Sequence, residues 1–510
     1  MRNHVTRRDF LKLAGLFPLS VAAPRLVNTL PSLQSNGIPQ NIIIIVFDAL
    51  SAYNISLYGY PRKTAPNLDR LAERAIVYHN HYASGNFTTP GTASLLTGTY
   101  PWTHRAFQHR DTVEESFVEK NLFSAFPNFY RITYSHNPLV NVLTSQFRES
   151  IDDLIPRDRF LLKNILDTPV IFNRDEDIAD VSWVRAMNRM EDGFAYSLFL
   201  SHLYDFFYKK WSDAKYENIK LLYPRGIPGL QTESHFLLED AIDWLRENLG
   251  VLPQPFVGYF HFLPPHAPYR THKDFYGRFG EDGLTFKPKR LDIFSEEDYR
   301  FDTAIENRTM YDEFILYVDR EFGRLFDNLE NSGLLENTWI VLTSDHGEMF
   351  ERGVIGHSTP LLYEPVIRVP LMIFEPRRNT RLDVHTLTSA VDVLPTLLHV
   401  TGQSPALWTE GSVLPPYSPN TEESIFVLEA KKNKKYAPLT IATTALVKGQ
   451  YKLMYFFGYD ELDGGERIEL YDIEADPEEM TDLYSTKRET VDAMLHELKT
   501  KLQGVNGVYK

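Results

Sequence analysis

Acidic and imidazole side chains stand directly after apolar runs along this chain, and that placement points to a divalent-cation site. Asp48 follows Asn41-Ile42-Ile43-Ile44-Ile45-Val46-Phe47, and Asp345-His346-Gly347-Glu348 follows Thr338-Trp339-Ile340-Val341-Leu342-Thr343-Ser344. His261 and His266 follow Phe256-Val257-Gly258-Tyr259-Phe260, and His136 follows the weaker run Tyr130-Arg131-Ile132-Thr133-Tyr134. Two carboxylates and an imidazole delivered to one place can chelate a metal. A bound cation screens the charge of an anionic ester and activates an attacking oxygen. Asp48, Asp345 and His346 are the candidate ligands. His266 and His136 are candidates to protonate a leaving oxygen, bind a second cation or hold non-bridging oxygens. His261 alternates with its strand and is expected in the core, while Glu348 is expected to orient a ligand. His104 is expected to be structural.

The runs that carry these residues are rich in β-branched side chains, as parallel strands buried on both faces must be. In open α/β sheets, ligands sit beyond the carboxyl ends of such strands. Helical segments alternate with them: Asn67 to Ala75, Phe236 to Asn248, and Tyr311 to Asn331 with Phe314, Val318, Phe322 and Leu325 at helical spacing. The alternation predicts an α/β fold, a mainly parallel central sheet flanked by helices. Residues 145–235 break the rhythm with mixed charges and aromatics, read as an inserted helical cap. Beyond about residue 410, Leu439–Thr444, Tyr451–Phe456 and Arg467–Asp472 read as antiparallel strands, and Arg488 to Leu502 as a closing helix. The expected organisation is a catalytic domain over 38–410 and a small C-terminal α+β subdomain over 411–510. Lys431-Lys432-Asn433-Lys434-Lys435 reads as a solvated basic loop, or as a rim that draws in an anionic substrate.

Composition narrows the function. The chain has 510 residues, 43% apolar content and a formal charge of −15. That balance argues against nucleic acid or an anionic membrane surface as the main partner and fits simple solubility. The segment Thr6-Arg7-Arg8-Asp9-Phe10-Leu11-Lys12 matches the twin-arginine export pattern, with a short apolar run from Leu13 to Ala23 after it. That run is too short for a stable bilayer span. Residues 1–35 are therefore read as a signal region, the mature chain as having no transmembrane span, and the protein as periplasmic or extracellular. No cysteine occurs, so no disulfide contributes.

The segment Thr88-Thr89-Pro90-Gly91-Thr92-Ala93-Ser94-Leu95-Leu96-Thr97-Gly98 resembles the nucleophile motif of the sulfatase family, Cys/Ser-x-Pro-Ser-Arg-x-x-Leu-Leu-Thr-Gly. Phe47-Asp48-Ala49-Leu50, the loop Pro265-His266-Ala267-Pro268, Ser344-Asp345-His346-Gly347 and Glu469-Leu470-Tyr471-Asp472 extend the resemblance along the chain. It implies the alkaline-phosphatase-like fold and places Thr88 at the nucleophile position. Sulfatases convert a Cys or Ser there to an aldehyde hydrate; threonine is not a substrate for that conversion. The supporting Arg is Thr92 here, the second aspartate of the first strand is Ala49, and the Lys-x-His pair best matches Tyr134-Ser135-His136. A Thr nucleophile with Asp-His instead resembles the phosphoethanolamine transferases and nucleotide phosphodiesterases. Those use zinc or manganese and carry a further histidine about a dozen positions on, here His357.

The resemblance thus implies a metal site of Asp48, Thr88, Asp345 and His346, with zinc or manganese favoured and calcium or magnesium as alternatives. Thr88, His266, His136 and His357 would carry the chemistry on an anionic phospho- or sulfo-ester. The expected function is an exported metal-dependent hydrolase of phosphate esters. The alternatives are sulfate-ester hydrolysis without the aldehyde, phosphoalcohol transfer, or a non-catalytic binding protein on the same scaffold.

Overall fold

The computed structural model describes residues 40–163, 207, 210, 216–231, 234–418 and 424–509. The expected signal region, and most of the aromatic-rich part of the expected cap, lie outside them.

The main sheet consists of β1 (Asn41–Phe47), β2 (Ile76–Tyr78), β3 (Tyr130–Ser135), β4 (Asp153–Leu154), β5 (Phe256–Phe262), β6 (Thr338–Thr343), β7 (Leu371–Phe374) and β8 (Leu382–Val384). They lie side by side in the order β8-β2-β7-β6-β1-β5-β3-β4. All but β7 run the same way, so the sheet is mainly parallel as expected. Successive side chains of a strand point to opposite faces. On β1, Ile43, Ile45 and Phe47 enter one core, while Ile42, Ile44 and Val46 enter another on the far side. Burial on both faces is why this strand is apolar without a break.

Among the described residues, the longer helices that cover the two faces are α1 (Pro66–Leu71), α2 (Thr88–Thr97), α3 (Pro138–Gln146), α4 (Leu238–Asn248), α5 (Phe301–Asn331) and α6 (Val393–Val400). Helices α1, α4 and α5 pack on the Ile43 face through Leu68, Ile242, Phe314 and Phe322, among others. Helices α2, α3 and α6 pack on the Ile42 face through Leu96, Leu143 and Leu397.

The C-terminal region forms an antiparallel sheet of β9 (Ser424–Glu429), β10 (Ala442–Lys448), β11 (Tyr451–Phe457) and β12 (Glu466–Asp472), paired in chain order. Helix α7 (Arg488–Gly507) covers one face with Val491, Met494, Leu498 and Leu502. The other face, with Ile425, Val427, Met454 and Phe456, packs on Met349, Leu361 and Val366. Buried Lys452 crosses this seam, with Nζ 3.0 Å from the Leu362 carbonyl and 3.1 Å from Glu364, and also paired to Glu479.

Some elements depart from expectation for a visible reason. Helix α5 begins at Phe301 rather than Tyr311, because its first ten residues bury only Ala304 and show no apolar stripe. Strand β10 starts at Ala442 rather than Leu439. The N–H groups of Leu439, Thr440 and Ile441 go instead to the side chains of Asn506 and Asn433. The described edges of the expected helical cap include a small three-stranded antiparallel sheet of Leu161–Lys163, Ser234–Phe236 and Gly229–Gln231.

Candidate active site

Strand parity decides which side chains meet. Asp48 continues the face of Ile42, Ile44 and Val46, His261 that of Val257 and Tyr259, and Asp345 that of Trp339 and Val341. All three therefore emerge on the α2 side, at the carboxyl ends of adjacent strands. Asp48, His261 and Asp345 are buried, and their ligand atoms lie within 4.8 Å of one another, a set that could hold a metal ion. His261, expected in the core, is part of this set.

The backbone around the set is tightly held. The Asp48 N–H donates to the Phe262 carbonyl at 2.9 Å, and Leu50 N–H to Ser344 Oγ at 2.9 Å. Ala49 takes a left-handed φ of 60°, with its carbonyl accepting from Tyr311 Oη at 2.5 Å. Gly91, in the first turn of α2, lies against the Asp345 main chain: a Cβ there would sit 2.2 Å from the Asp345 carbonyl oxygen. The glycine is what lets α2 bring Thr88 this close.

Each aspartate has one oxygen satisfied and one not. Asp48 Oδ2 accepts from Asn137 Nδ2, and Asp345 Oδ1 accepts from the N–H groups of Ala49 at 3.3 Å and His346 at 3.1 Å. Asp48 Oδ1 and Asp345 Oδ2 are buried and accept no hydrogen bond. Orphaned buried carboxylate oxygens are costly unless a positive charge compensates them. His346 Nε2 stands 3.3 Å from Asp48 Oδ1, 3.6 Å from Asp345 Oδ2 and 3.4 Å from Thr88 Oγ1. Ligands around a tetrahedral ion with bonds of about 2.1 Å are separated by about 3.4 Å. The residues present therefore fit a divalent cation with mixed N and O ligands.

Three histidines share one tautomeric logic. Nδ1–H of His346 donates to the Gly347 carbonyl at 2.9 Å, that of His357 to Glu348 Oε1 at 2.9 Å, and that of His266 to the Ala267 carbonyl at 2.7 Å. These acceptors hold a proton on Nδ1, so that Nε2 carries the lone pair whenever the ring is neutral, the usual arrangement of a metal-ligating imidazole. The ring of His357 lies 4.1 Å from that of His346 and 5.0 Å from that of His266. Glu348 orients His357.

The charges are coupled. Burial alone would raise Asp48, but His266, His261 and His346 outweigh it and hold the carboxyl well below its ordinary range. Burial and the Asp48 charge push Asp345 up. Burial works against the His346 cation, yet Asp345 and Asp48 raise it to about 9. Burial and the His346 charge push His357 down to about 4. In the metal-free protein, protonated His346 is the cation that the two carboxylates recruit.

The structure brings together Asp48, Thr88, Asp345, His346, His357 and His266, and it directs His136 elsewhere. Ile132 and Tyr134 face the Ile43 core, and His136 follows their parity. Its ring stacks on Phe236 at 4.1 Å and tilts against Phe262 at 5.6 Å, with neither ring nitrogen hydrogen-bonded. Asn137, one residue on, falls on the site face and contacts both Asp48 Oδ2 and, at 3.3 Å, Thr88 Oγ1. A residue-by-residue reading passed over Asn137 because asparagine neither titrates nor belongs to the matched motif. The signal was its odd parity with Ser135. His104 bonds Ser94 Oγ at 3.1 Å and the Ala106 N–H at 3.1 Å, a structural role.

The fold is that of the sulfatases and their alkaline-phosphatase-like neighbours. The chain belongs to the sulfatase family, whose model matches residues 40–403; a second model, for the C-terminal part of N-sulphoglucosamine sulphohydrolase, matches residues 357–507. Choline-sulfatase of Rhizobium meliloti is 26% identical over 482 residues, covering 89% of this chain and 84% of that protein. The phosphonate monoester hydrolase of Agrobacterium radiobacter shares the fold with a TM-score of 0.65 at 18% identity, covering 92% of this chain and 96% of its own. A structure in complex with D-glucosamine-2-N,6-O-disulfate shares it with a TM-score of 0.62 at 17% identity, covering 92% and 99%. The protein is accordingly a hydrolase acting on ester bonds.

Proposed function

We propose that this protein is an exported, metal-dependent hydrolase of phosphate mono- or diesters that uses Thr88 as nucleophile. The observation that carries the reading is the position of the Thr88 hydroxyl, 3.4 Å from His346 Nε2 and 3.3 Å from Asn137 Nδ2, beside two orphaned carboxylate oxygens. Asp48, Asp345 and His346, with His261 beside them, would hold the cation. When bound, it supplies charge screening for the ester and a lowered pKa for an attacking hydroxyl. The twin-arginine pattern at Arg7-Arg8 supports export.

The chain's own groups divide the rest of the work. Thr88 opens the ten-residue helix α2, whose cap residue Phe87 makes no side-chain cap. The N-terminal end of such a helix favours an anionic ester. Thr88 Oγ1 forms a bond to phosphorus as the bond to the leaving oxygen breaks; the hydroxyl proton passes to solvent, and the leaving oxygen takes one from solvent to depart as the alcohol. Water then attacks phosphorus, the bond to Oγ1 breaks, and Thr88 regains its proton. Nδ1 of His266 and of His357 is engaged by Ala267 and Glu348, which suits Nε2 for ligation of a second cation better than for protonation of the leaving group.

Sulfate-ester hydrolysis is the second reading, favoured by the likeness to choline-sulfatase across 89% of the chain. Against it stand a threonine at the nucleophile position and the lack of cysteine. Among the described residues, moreover, no lysine or arginine side chain bonds to Thr88, Asp48, Asp345 or His346. Rates on matched nitrophenyl phosphate, phosphodiester and sulfate, for wild type and Thr88→Ala, separate the two. Turnover of the sulfate alone defeats the phosphate reading, and full activity in Thr88→Ala defeats the nucleophile.

A further inference from the structure

We infer that Asn137 is the hydrogen-bond donor that positions the Thr88 oxygen for attack, a role that rests on the reading of Thr88 as nucleophile. The amide has only one orientation open to it. Asn137 is the N-cap of α3, and its Oδ1 accepts the Leu139 N–H at 2.8 Å. Its main-chain N–H donates to Ser135 Oγ at 2.9 Å, and its carbonyl accepts from Asn141 Nδ2 at 2.9 Å. With Oδ1 committed to the helix, Nδ2 has to face the pocket. There it has two acceptors, Asp48 Oδ2 and Thr88 Oγ1. The side chain is buried, both Nδ2 protons are donated, and Oδ1 accepts one hydrogen bond.

Two consequences follow for the reaction. One lone pair of Thr88 Oγ1 is occupied by an N–H, which fixes the direction of the hydroxyl and meets the negative charge that grows on Oγ1 during attack. Asp48 Oδ2 is occupied as well, which leaves Oδ1 as the orphaned oxygen of that carboxylate. Oδ2 of Asp48 is shared with His261 Nε2 at 3.3 Å, so Asn137 helps to set which oxygen is open, while it fixes where Thr88 points. An amide does this at any working pH and has no proton to surrender. In the sulfatase motif a histidine is expected near this place, but His136 is turned into the aromatic core. Alongside His346, the second group touching the nucleophile is thus a fixed neutral donor.

Asn137→Ser tests this, because serine caps a helix about as well as asparagine but brings no N–H to Thr88. Wild type, Asn137→Ser and Thr88→Ala are mixed with nitrophenyl phosphate and quenched in acid. Phosphorylated Thr88 is then followed by mass spectrometry, alongside metal content, thermal midpoint, kcat and KM. The expected result for Asn137→Ser is adduct formation and kcat slowed about 10²- to 10³-fold, with KM within about twofold and unchanged metal content and midpoint. Adduct formation at the wild-type rate overturns the inference, and so does a loss that tracks missing metal. Absence of the adduct in wild type, with full activity in Thr88→Ala, overturns the nucleophile reading itself and is separable from either result.

Discussion

Substituting Gly91 with alanine isolates the geometry on which the site depends. In an ordinary helix interior the change would stabilise the protein by about 1 kcal/mol. Here the new Cβ would lie 2.2 Å from the Asp345 carbonyl oxygen, 3.0 Å from its carbonyl carbon and 3.3 Å from its Cβ. Restoring normal contact requires α2 and the tip of β6 to part by about 1 Å, and overpacking of this kind costs about 1–3 kcal/mol. Thr88 lies three residues upstream in the same helix, so the movement carries Oγ1 with it. Its contacts of 3.3 Å and 3.4 Å to Asn137 and His346 would lengthen beyond hydrogen-bonding reach. A misplacement of about 1 Å at a reacting group costs about 10²-fold in rate. Gly91→Ala should therefore unfold earlier than wild type and turn over about 100-fold more slowly on whichever nitrophenyl ester wild type cleaves, at saturating metal. Gly91→Ser, which restores the residue of the sulfatase motif, should behave alike. A variant as stable as wild type and within twofold of its rate would show that α2 is not pressed against Asp345, and the argument for the placement of Thr88 would fail.

Other expectations follow from the same geometry. Asp345→Asn should lose bound divalent metal by elemental analysis, yet raise the unfolding midpoint of the chelator-treated protein, because it removes one of two buried like charges; a lowered midpoint there would contradict the orphaned-carboxylate picture. In chelator-treated protein, His346 is raised from 6.5 to about 9, so its contribution is complete below pH 6.5 and is lost as pH rises through about 9. That amounts to about 3 kcal/mol, visible as a falling midpoint in wild type and flattened in His346→Gln. Metal binding should strengthen over the same window, because the ligand has to lose its proton; titration calorimetry at pH 7 and 9 checks it. Lys452→Met should cost about 3–5 kcal/mol by leaving Glu364 and Glu479 buried without their cation, measured by denaturant unfolding; a neutral effect would mean the seam tolerates the charges alone.

Much of the site was legible in the chain because its ligands sit at the ends of strands that announce themselves. Asn41–Phe47 and Thr338–Thr343 are continuous apolar runs, and whatever follows such a run in a parallel sheet lies at its carboxyl edge. The short strands Ile76–Tyr78 and Leu371–Phe374 left no such trace. Three or four residues give too little alternation, and the two strands pair with each other, Leu371 opposite Tyr78, across more than half of the chain. The His136–Asn137 pair shows the limit most sharply. Sequence comparison selected the histidine for its chemistry, whereas a side-chain period of two put the asparagine on the site face and the histidine in the aromatic core. Likewise His261 reads as core from its own strand and becomes part of a cation set only when β1 and β6 stand near it.

Local pattern by itself determined the long buried strands, the layered α/β class, and the two aspartates and His346 at the strand tips, since burial on both sides imposes its composition residue by residue. Only the tertiary structure decided which face each tip presents, which oxygen of each carboxylate is left without a partner, and that Gly91 lets a helix end touch Asp345. Those properties depend on register and close approach between segments far apart in the chain, and no local composition encodes a distance.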